Sequence, residues 1–283
     1  METRNLGTSG LRVSVVGLGC NNFGGRIGLE ESRAVVHKAL DLGITLFDTA
    51  DVYGPHSNEE LIREALHPYP DNLVIATKGG NLRGGPEYSD MTALGNKWSL
   101  RQAAYMSMRR LGLEQIDLYY LHTAAFTDVP FEDAIQTLAE MKDDGLIRHI
   151  GLSNLSAEQL RTAMSITDIA AVTAHYNVAV RLGAGVRTVA EETGIVFSPW
   201  HPGAIPSGPD GEPFHAVIDP IAAKHDVTPQ QIALAWQLHH TATSLPVPGT
   251  TSVAHLHENL DAASISLTQD EVDAITALAP EDD

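Results

Sequence analysis

Ile44-Thr45-Leu46-Phe47-Asp48 indicates the fold, because an apolar run typical of a buried β-strand leads directly into an ionisable residue. Two later stretches have the same form: Leu73-Val74-Ile75-Ala76 shortly precedes Lys78, and Ile116-Asp117-Leu118-Tyr119-Tyr120-Leu121 precedes His122. Short, mainly apolar runs are typical of parallel strands that are covered on both faces. Polar residues at the carboxyl ends of such strands meet on one face of an α/β barrel, so we expect Asp48, Lys78 and His122 to lie together.

Strand-like and helix-like segments alternate along the whole chain. Strands are predicted at residues 13–18, 44–49, 73–78, 116–121, 147–152, 170–174, 195–199 and 244–247. Helices are predicted at residues 30–42, 58–66, 99–111, 131–144, 185–193, 229–240 and 253–263, with others opening at Ser156 and Thr268. Eight such units favour closure of a parallel sheet. We therefore predict an α/β fold, a (β/α)8 TIM barrel with an N-terminal β-hairpin (residues 4–6 and 11–13) and additional C-terminal helices, as a single domain over residues 1–283.

Local signals mark several helix ends. Ser57-Asn58-Glu59-Glu60 and Ser156-Ala157-Glu158-Gln159 have the form of a capping box. Gly112 and Gly194 follow predicted helices at a position that favours glycine. Thr228-Pro229 places proline at the first helical position, which is a common helix start.

A doubly wound sheet is the competing architecture. It would be favoured by a Gly-x-Gly-x-x-Gly loop after the first strand. The candidate, Gly17-Leu18-Gly19-Cys20-Asn21-Asn22, lacks the third glycine. Nucleotide binding would therefore need another arrangement of residues.

Composition narrows the classes of protein. Thirty-six acidic and 18 basic residues give a net charge of −18, which argues against nucleic acid or an anionic membrane as a partner. No apolar run approaches the ~20 residues of a membrane span, and Met1–Asn5 does not resemble the start of a signal peptide. Cys20 is the single cysteine, as suits a reducing compartment. We expect a cytoplasmic monomer or weak homo-oligomer, and no metal, because the 13 histidines lack zinc-site spacing.

The chain resembles the aldo-keto reductase family over about residues 4–279. The segments that carry the resemblance are Phe47-Asp48-Thr49-Ala50-Asp51-Val52-Tyr53-Gly54, Ile75-Ala76-Thr77-Lys78, Ile116–His122, Ile150-Gly151-Leu152-Ser153-Asn154, and Pro248-Gly249-Thr250-Thr251 with Glu258-Asn259. The resemblance implies a barrel enzyme that reduces an aldehyde or ketone with a nicotinamide dinucleotide.

The chemistry of the four ionisable residues agrees with this implication. Hydride addition to a carbonyl carbon leaves an oxygen that needs a proton, and tyrosine, with its ordinary pKa of about 10, is a weak acid at neutral pH. An ammonium beside the phenol lowers that pKa, a role that suits Lys78 next to Tyr53. Asp48 would hold Lys78 charged, and His122 would orient the carbonyl oxygen. These four are the predicted catalytic residues.

The resemblance also implies a cofactor site across the barrel mouth. Ser153 and Asn154 would hold the carboxamide, with Thr173 where relatives have glutamine, and Trp200 would stack on the nicotinamide. The predicted cofactor-binding residues are Gly19, Cys20, Asn21, Asp48, Ser153, Asn154, Thr173, Trp200, His201, Pro202, Gly249, Thr250, Thr251, His255, Glu258 and Asn259. Gly249 and His255 replace a lysine and an arginine common in relatives, but backbone N–H groups near a helix start and the hydroxyls of Thr250 and Thr251 can still bind a phosphate. We therefore expect NADPH to be preferred, by a smaller margin than in relatives that carry the arginine, with NADH possible.

The loops after the strands are expected to form the substrate pocket. Its predicted residues are Phe23, Tyr53, Trp98, His122 and Phe126, and the glycine-rich stretch 81–97 adds Tyr88 and Met91. Small carbonyl compounds suit such a mixed wall. Two alternatives remain open: a cofactor-binding regulatory subunit with slow turnover, and a barrel isomerase or aldolase that forms an imine on a lysine.

Overall fold

The computed structural model describes residues 1–85, 87 and 90–281. The strands are β1 (Thr3–Asn5), β2 (Arg12–Ser14), β3 (Leu18–Gly19), β4 (Leu46–Asp48), β5 (Val74–Gly79), β6 (Asn81–Arg83), β7 (Met91–Ala93), β8 (Ile116–Leu121), β9 (Ile147–Ser153), β10 (Ile169–His175) and β11 (Val196–Trp200). The helices are α1 (Leu29–Asp41), α2 (Asn58–Leu66), α3 (Lys97–Leu111), α4 (Phe131–Asp143), α5 (Ala157–Ile166), α6 (Ala184–Thr193), α7 (Glu212–His225), α8 (Pro229–His240), α9 (Val253–Asp261) and α10 (Gln269–Thr276).

A closed parallel barrel forms the centre of the molecule. Seven strands pair in the order β3-β4-β5-β8-β9-β10-β11. Residues 244–249 bridge the two edges, because Leu245 N donates to Phe197 O at 2.8 Å and Gly19 N donates to Pro248 O at 3.2 Å. Pro246 and Pro248 cannot donate hydrogen bonds to a strand ladder, which explains why this eighth position is irregular. The predicted (β/α)8 barrel is confirmed.

The N-terminal hairpin closes the bottom of the barrel. β1 and β2 pair antiparallel, and the buried side chains of Leu6 and Val13 pack with inward-facing barrel residues such as Leu46 and Leu118. The predicted first strand, residues 13–18, is in fact divided. Its start belongs to the hairpin through β2, and only its end joins the barrel as β3, because the chain must turn from one sheet into the other.

The structure corrects three local predictions. Helix α7 was not predicted, because Pro213 near its start and Pro220 within it suggest a loop. Helix α3 begins at Lys97 with the Asn96 side chain as its cap, two residues before the predicted start. Ser57 forms no capping box, because its backbone is helical and its hydroxyl donates to Gly54 O.

Other helix ends match the sequence signals. Ser156 and Thr228 form full capping boxes with Gln159 and Gln231. Gly112 and Gly194 end α3 and α6 with φ of 69° and 74°. Within the part of the chain that the structure describes, no helix is long and apolar enough to cross a membrane.

Candidate active site

Neighbouring strands bring the acid and the amine into direct contact. Asp48 ends β4, Lys78 lies near the end of β5, and these strands are paired. The Lys78 ammonium donates to both carboxylate oxygens of Asp48 at 2.7 Å each and to Thr49 O at 2.8 Å. The Lys78 side chain is only 4 % exposed. Its three donor positions therefore all have acceptors in a site that water scarcely reaches.

Tyr53 completes the group around the ammonium. The ammonium of Lys78 lies 5.1 Å from the centre of the Tyr53 ring, so the phenol is close enough to favour the charged form of the lysine. Burial opposes the charge of Lys78, but the attraction of Asp48 and Tyr53 outweighs it and raises the pKa of Lys78. Lys78 is therefore a permanent cation at neutral pH, and such a cation stabilises the phenolate form of its neighbour.

His122 stands beside Tyr53 as a neutral imidazole. The two ring centres are 5.9 Å apart, and His122 N donates to Gly79 O at 2.9 Å. Burial, and then the charge of Lys78, lower the pKa of His122 to about 3. Nδ1 of His122 is buried and has no partner among the described residues. A neutral ring with a free polar atom can orient a ligand through a hydrogen bond, but it carries no charge at pH 7.

A buried ion pair between α2 and α3 restrains β5 on the side that faces these helices. Glu59 of α2 accepts from Thr77 Oγ1 at 2.6 Å and from Arg110 Nε at 2.6 Å. The Glu59 side chain is 1 % exposed. Thr77 directly precedes Lys78 on the strand, so this contact restrains the segment that carries the ammonium.

A cavity of about 860 Å³ opens over Asp48, Tyr53, Lys78 and His122 and extends to α9. Every predicted catalytic residue lines it, as does every predicted cofactor residue except Thr250 and Thr251. Ligand sites commonly enclose about 300–1,000 Å³, so an extended dinucleotide fits this space.

The wall formed by β9 and β10 presents polar side chains. Asn154 donates through Nδ2 to His122 O at 3.1 Å and to Ser153 Oγ at 2.9 Å. Asn154 therefore links the ends of β8 and β9 through its amide nitrogen. Its Oδ1 accepts one hydrogen bond, from Trp200 Nε1, and keeps one lone pair for a ligand. Thr173 also lines the cavity. These groups fit the carboxamide end of a nicotinamide cofactor, and the unpartnered Nδ1 of the neighbouring His122 remains available to another ligand group.

Trp200 is held in a defined orientation at the end of β11. Its Nε1 donates to Asn154 Oδ1 at 3.1 Å, and its ring stacks on His175 with centres 4.0 Å apart and planes 12° apart. One face of the indole is thus covered by His175. The other face is the one that a planar cofactor ring can use.

The far end of the cavity is built on the start of α9. Ser252 caps this helix by accepting from His255 N at 3.2 Å. The Thr250 hydroxyl is turned away from the cavity, because it donates to Ser252 O at 3.0 Å and accepts from Ser252 N at 3.2 Å. The structure therefore places Thr250 and the neighbouring, exposed Thr251 outside the cavity lining.

Three residues expected in the substrate pocket lie elsewhere. Phe23 is fully buried in a core cluster with α1 and α2. Trp98 is 78 % exposed and lines a separate groove along α3. Phe126 packs on Gly95 and the main core rather than on the cavity. Tyr88 falls outside the described residues, and Met91 lies in the antiparallel β6–β7 hairpin.

Five residues of the cavity wall were not predicted from the sequence. They are Asn22, Arg26, Gln230, Leu234 and Val247. Arg26 could have been suspected as a cation on the loop after the first barrel strand. The remaining residues carry no signal that separates a wall position from an ordinary loop or helix position.

Cys20 lines the cavity as a buried thiol. Burial raises its pKa, and its Sγ lies 3.5 Å from Leu18 O. It is therefore a neutral small side chain at neutral pH. The described residues contain no group of three or more metal-binding side chains.

Comparisons with known proteins agree with this geometry. The model described as "Aldo/keto reductase family" matches residues 15–280. An uncharacterized oxidoreductase of Schizosaccharomyces pombe is 40% identical over 241 residues, which cover 85% of this chain and 76% of the relative. The pyridoxine 4-dehydrogenase of Escherichia coli is 35% identical over 252 residues, covering 87% and 86%. The holo form of an aldo-keto reductase from Bacillus halodurans superposes with a TM-score of 0.84 at 26% identity, covering 100% of this chain and 97% of that one.

Proposed function

This chain belongs to the aldo/keto reductase family, and on that premise we propose that it reduces small aldehydes or ketones to alcohols with NADPH, using Tyr53 as the proton donor. It is an NAD(P)H-dependent oxidoreductase that acts on small carbonyl compounds. The observation that supports the finer proposal is the buried Asp48–Lys78 pair in contact with Tyr53.

In the proposed reaction the bound dinucleotide supplies a hydride to the carbonyl carbon. Tyr53 gives its hydroxyl proton to the carbonyl oxygen, and the resulting phenolate is stabilised by the Lys78 ammonium. Asp48 keeps that ammonium charged and fixed by accepting two of its hydrogen bonds. His122 donates a hydrogen bond to the carbonyl oxygen as a neutral ring, in accordance with its pKa of about 3.

The polar wall and the indole position the cofactor in this proposal. Ser153 and Thr173 offer hydroxyls to the carboxamide, and Asn154 offers its remaining oxygen lone pair. Trp200 presents its uncovered face to the nicotinamide ring. This face of the indole would cover one side of a bound nicotinamide ring and exclude water from it.

NADPH is proposed as the preferred cofactor with a modest margin. His255 and the start of α9 line the far end of the cavity, and helix starts favour phosphate. No arginine or lysine occurs between residues 249 and 259. The measurement is kcat/KM for NADPH and NADH with one aldehyde, and equal values would contradict the preference.

The geometry of Lys78 argues against imine chemistry. An imine-forming lysine needs a neutral amine with a free lone pair. The Lys78 ammonium donates to Asp48 and Thr49, and its pKa is raised. Borohydride treatment with a carbonyl substrate should therefore leave no covalent adduct on Lys78.

Tyr53→Phe is the direct test of the proposal. The substrate panel contains aliphatic and aromatic aldehydes and, because of the Escherichia coli relative, pyridoxal. We expect kcat to fall by about 10²–10⁴-fold, the usual contribution of a positioned proton donor. The NADP⁺ Kd should stay within about twofold of wild type, because a phenyl ring keeps the shape of the site.

Tyr105→Phe is the matched control. Tyr105 is 64 % exposed on α3 and does not line the cavity, so its hydroxyl should not affect kcat. Undiminished turnover in Tyr53→Phe would remove the proposed donor. Wild-type protein that binds NADP⁺ but turns over no carbonyl compound would instead favour a cofactor-binding regulatory subunit.

A further inference from the structure

A second cavity lies on the outside of the barrel, between α2 and α3. Its volume is about 550 Å³, and its described lining shares no residue with the larger cavity over Lys78. Three arginines line it: Arg63 of α2, and Arg109 and Arg110 of α3. A guanidinium stays charged at any pH that the protein meets. This cavity therefore concentrates positive charge on a chain whose net charge is −18.

The protein itself neutralises little of this charge. The side chains of Arg63 and Arg109 are exposed and form no ion pair or hydrogen bond with a described residue. Arg110 donates through Nε to Glu59 at 2.6 Å and through Nη2 to Ser107 Oγ at 3.3 Å, and its Nη1 has no described partner. Donors on all three guanidinium groups are therefore available to an anion, and their planar forks match the oxygens of a tetrahedral oxyanion.

The convergence of the arginines is not explained by helix stability alone. Arg109 and Arg110 lie in the last turn of α3, where the helix dipole stabilises any cation. Arg63 comes from a different helix and lies against the end of α3, because a Cβ added at Gly112 would be 2.9 Å from Arg63 Nε. Like charges brought together from two helices repel each other, so a bound anion would relieve a cost that the empty cavity carries.

Two hydrogen-bond acceptors on the same wall distinguish between anions. His56 Nδ1 lies 2.8 Å from Asp51 O, and because a carbonyl oxygen only accepts, Nδ1 is the donor. Nε2 of the neutral His56 ring is then an acceptor. Glu60 lines the cavity with an exposed side chain that has no described partner. A carboxylate repels a fully ionised anion, but it accepts a hydrogen bond from an anion that carries a proton.

We propose that this cavity binds inorganic phosphate and selects it over sulfate. The guanidinium groups of Arg63, Arg109 and Arg110 bind the charged oxygens, and Glu60 or His56 accepts the hydrogen bond of the P–OH group. Sulfate has the same shape but no proton at neutral pH, so Glu60 repels it without compensation. A phosphate monoester offers the same charged oxygens, but its second pKa is about 6, so it has also lost its proton at pH 7.5.

The experiment is isothermal calorimetry at pH 7.5 and constant ionic strength with inorganic phosphate, sulfate and ribose 5-phosphate. The protein is first saturated with NADP⁺, which keeps these probes out of the larger cavity. We expect the Kd of phosphate to be at least about fivefold lower than that of the other two, the size of one hydrogen bond. Sulfate or ribose 5-phosphate that binds as tightly as phosphate would overturn the proposed selection.

Arg63→Gln and Arg109→Gln locate the bound anion. Each should raise the Kd of phosphate by about tenfold, because one charge-assisted contact is lost. Arg110 is left intact, because its loss would leave Glu59 buried without a cation. Arg12→Gln is the control with the same net charge, since Arg12 is exposed on the N-terminal hairpin and lines neither cavity. Unchanged Kd values in both cavity variants, or an equal loss in Arg12→Gln, would overturn the site.

Glu60→Gln tests the selection. The amide removes the repulsion of sulfate and still accepts a hydrogen bond from phosphate, so the preference for phosphate should fall by about threefold or more. Glu158→Gln makes the same change on the exposed start of α5 and should leave the preference unaltered. An unaltered preference in Glu60→Gln would contradict the role of this carboxylate.

The phosphate site does not depend on the proposed reaction. Failure of the wild-type protein to bind NADP⁺ would reject the proposed function, and the same titrations on the free protein would still test the phosphate site. Binding of NADP⁺ without binding of phosphate would reject the phosphate site alone. The two failures are therefore distinguishable.

Discussion

Two regions of the cavity differ in how their charges are satisfied. In the group around Lys78, the lysine side chain is only 4 % exposed and its charge is satisfied by Asp48 within the protein. On the loops that follow β3 and β11, Arg26 and His201 are exposed, and no described side chain pairs with the Arg26 guanidinium. The first region is therefore organised without a ligand, whereas the charge of the second is left to solvent or to a ligand. Substitutions in the first region should affect folding as well as turnover, and those in the second region only binding.

The largest expected effect comes from Lys78→Met. It leaves the Asp48 carboxylate buried without a cation, which costs about 3–5 kcal/mol of unfolding free energy. It also removes the charge proposed to stabilise a Tyr53 phenolate, so on that proposal kcat should fall by at least about 10³-fold. Urea denaturation and steady-state kinetics measure the two effects.

A double variant separates stability from chemistry. Asp48→Asn combined with Lys78→Met removes both charges and should regain most of the lost stability while turnover stays low. The control is Lys224→Met, which breaks a 2.7 Å pair with Glu271 in which the lysine is 61 % exposed and the carboxylate keeps its bond from Thr268 N. We expect that loss to stay below about 1 kcal/mol. Equal destabilisation at Lys78 and Lys224 would contradict the contrast between the buried and exposed regions.

The second effect is a pH dependence of stability due to His122. In the fold its pKa is about 3, whereas the ordinary value of 6.5 applies to the unfolded chain. Below pH 6.5, His122 therefore binds a proton in the unfolded chain but not in the folded chain. The free energy of unfolding then falls by about 1.4 kcal/mol for each pH unit. From pH 6.5 to 5 the contribution of His122 is a loss of about 2 kcal/mol.

His122→Asn should lose this contribution. The unfolding free energies of wild type and variant, measured at pH 7.5 and pH 5, should differ in pH dependence by about 2 kcal/mol, with wild type the more acid-sensitive. In wild type, kcat/KM should show no protonation of His122 between pH 8 and 5. Equal pH slopes in the two proteins would show that His122 is not held neutral by the fold.

The contrast between the two ends also explains what the sequence could predict. Asp48, Lys78 and His122 lie at or directly after the carboxyl ends of strands, and the strand order of a barrel brings these ends together whatever the loops do. The pattern of apolar runs was therefore sufficient to predict both the barrel and the grouping of these residues. Pro246 and Pro248 make the eighth strand position, residues 244–249, irregular, but this segment still lies between β11 and β3 as predicted.

Loop residues could not be predicted in the same way. Trp98 and Phe126 are aromatic residues near the expected mouth, yet the first projects from α3 and the second packs on Gly95. Arg26 was missed for the same reason, because only the path of its loop brings it to the cavity. Helix α7 was missed because proline at its start and in its interior resembles loop composition. Side-chain direction on loops depends on long-range packing that local patterns do not encode.

The third effect is a loss of nicotinamide affinity in Trp200→Leu. This change removes the stack on His175 and the hydrogen bond to Asn154. The Kd of NADP⁺ should rise by about tenfold, because a stacked ring and its fixed orientation are lost together. The Kd of 2′,5′-ADP, which lacks nicotinamide, should not change.

Trp98→Leu is the control for this third effect. Trp98 lies outside the cavity, so neither the nucleotide Kd values nor the KM of an aldehyde should change. A raised KM in Trp98→Leu would show that Trp98 contributes to the substrate pocket, as the sequence predicted. A loss of 2′,5′-ADP affinity in Trp200→Leu would indicate general damage to the cavity instead of a missing ring contact.

The smallest expected effect concerns the adenosine end. His255 lines the cavity in the first turn of α9, so His255→Arg places a permanent cation where a 2′-phosphate is expected. The ratio of kcat/KM for NADPH to that for NADH should rise about three- to tenfold, as for one added charge-assisted contact. Glu258 limits the gain, because one helical turn away it can pair with the new arginine in the absence of cofactor.

His257→Arg adds the same charge two residues further along α9. Two residues correspond to about 200° around a helix, so this arginine points away from the cavity, whose lining does not include His257. The cofactor ratio should then stay at the wild-type value. If both arginines raise the ratio equally, the effect is a general relief of the −18 charge, and the far end of the cavity has no local 2′-phosphate site. If only His255→Arg raises it, the start of α9 holds a local site for the 2′-phosphate that depends on an exposed side chain, in contrast to the internally paired Asp48 and Lys78.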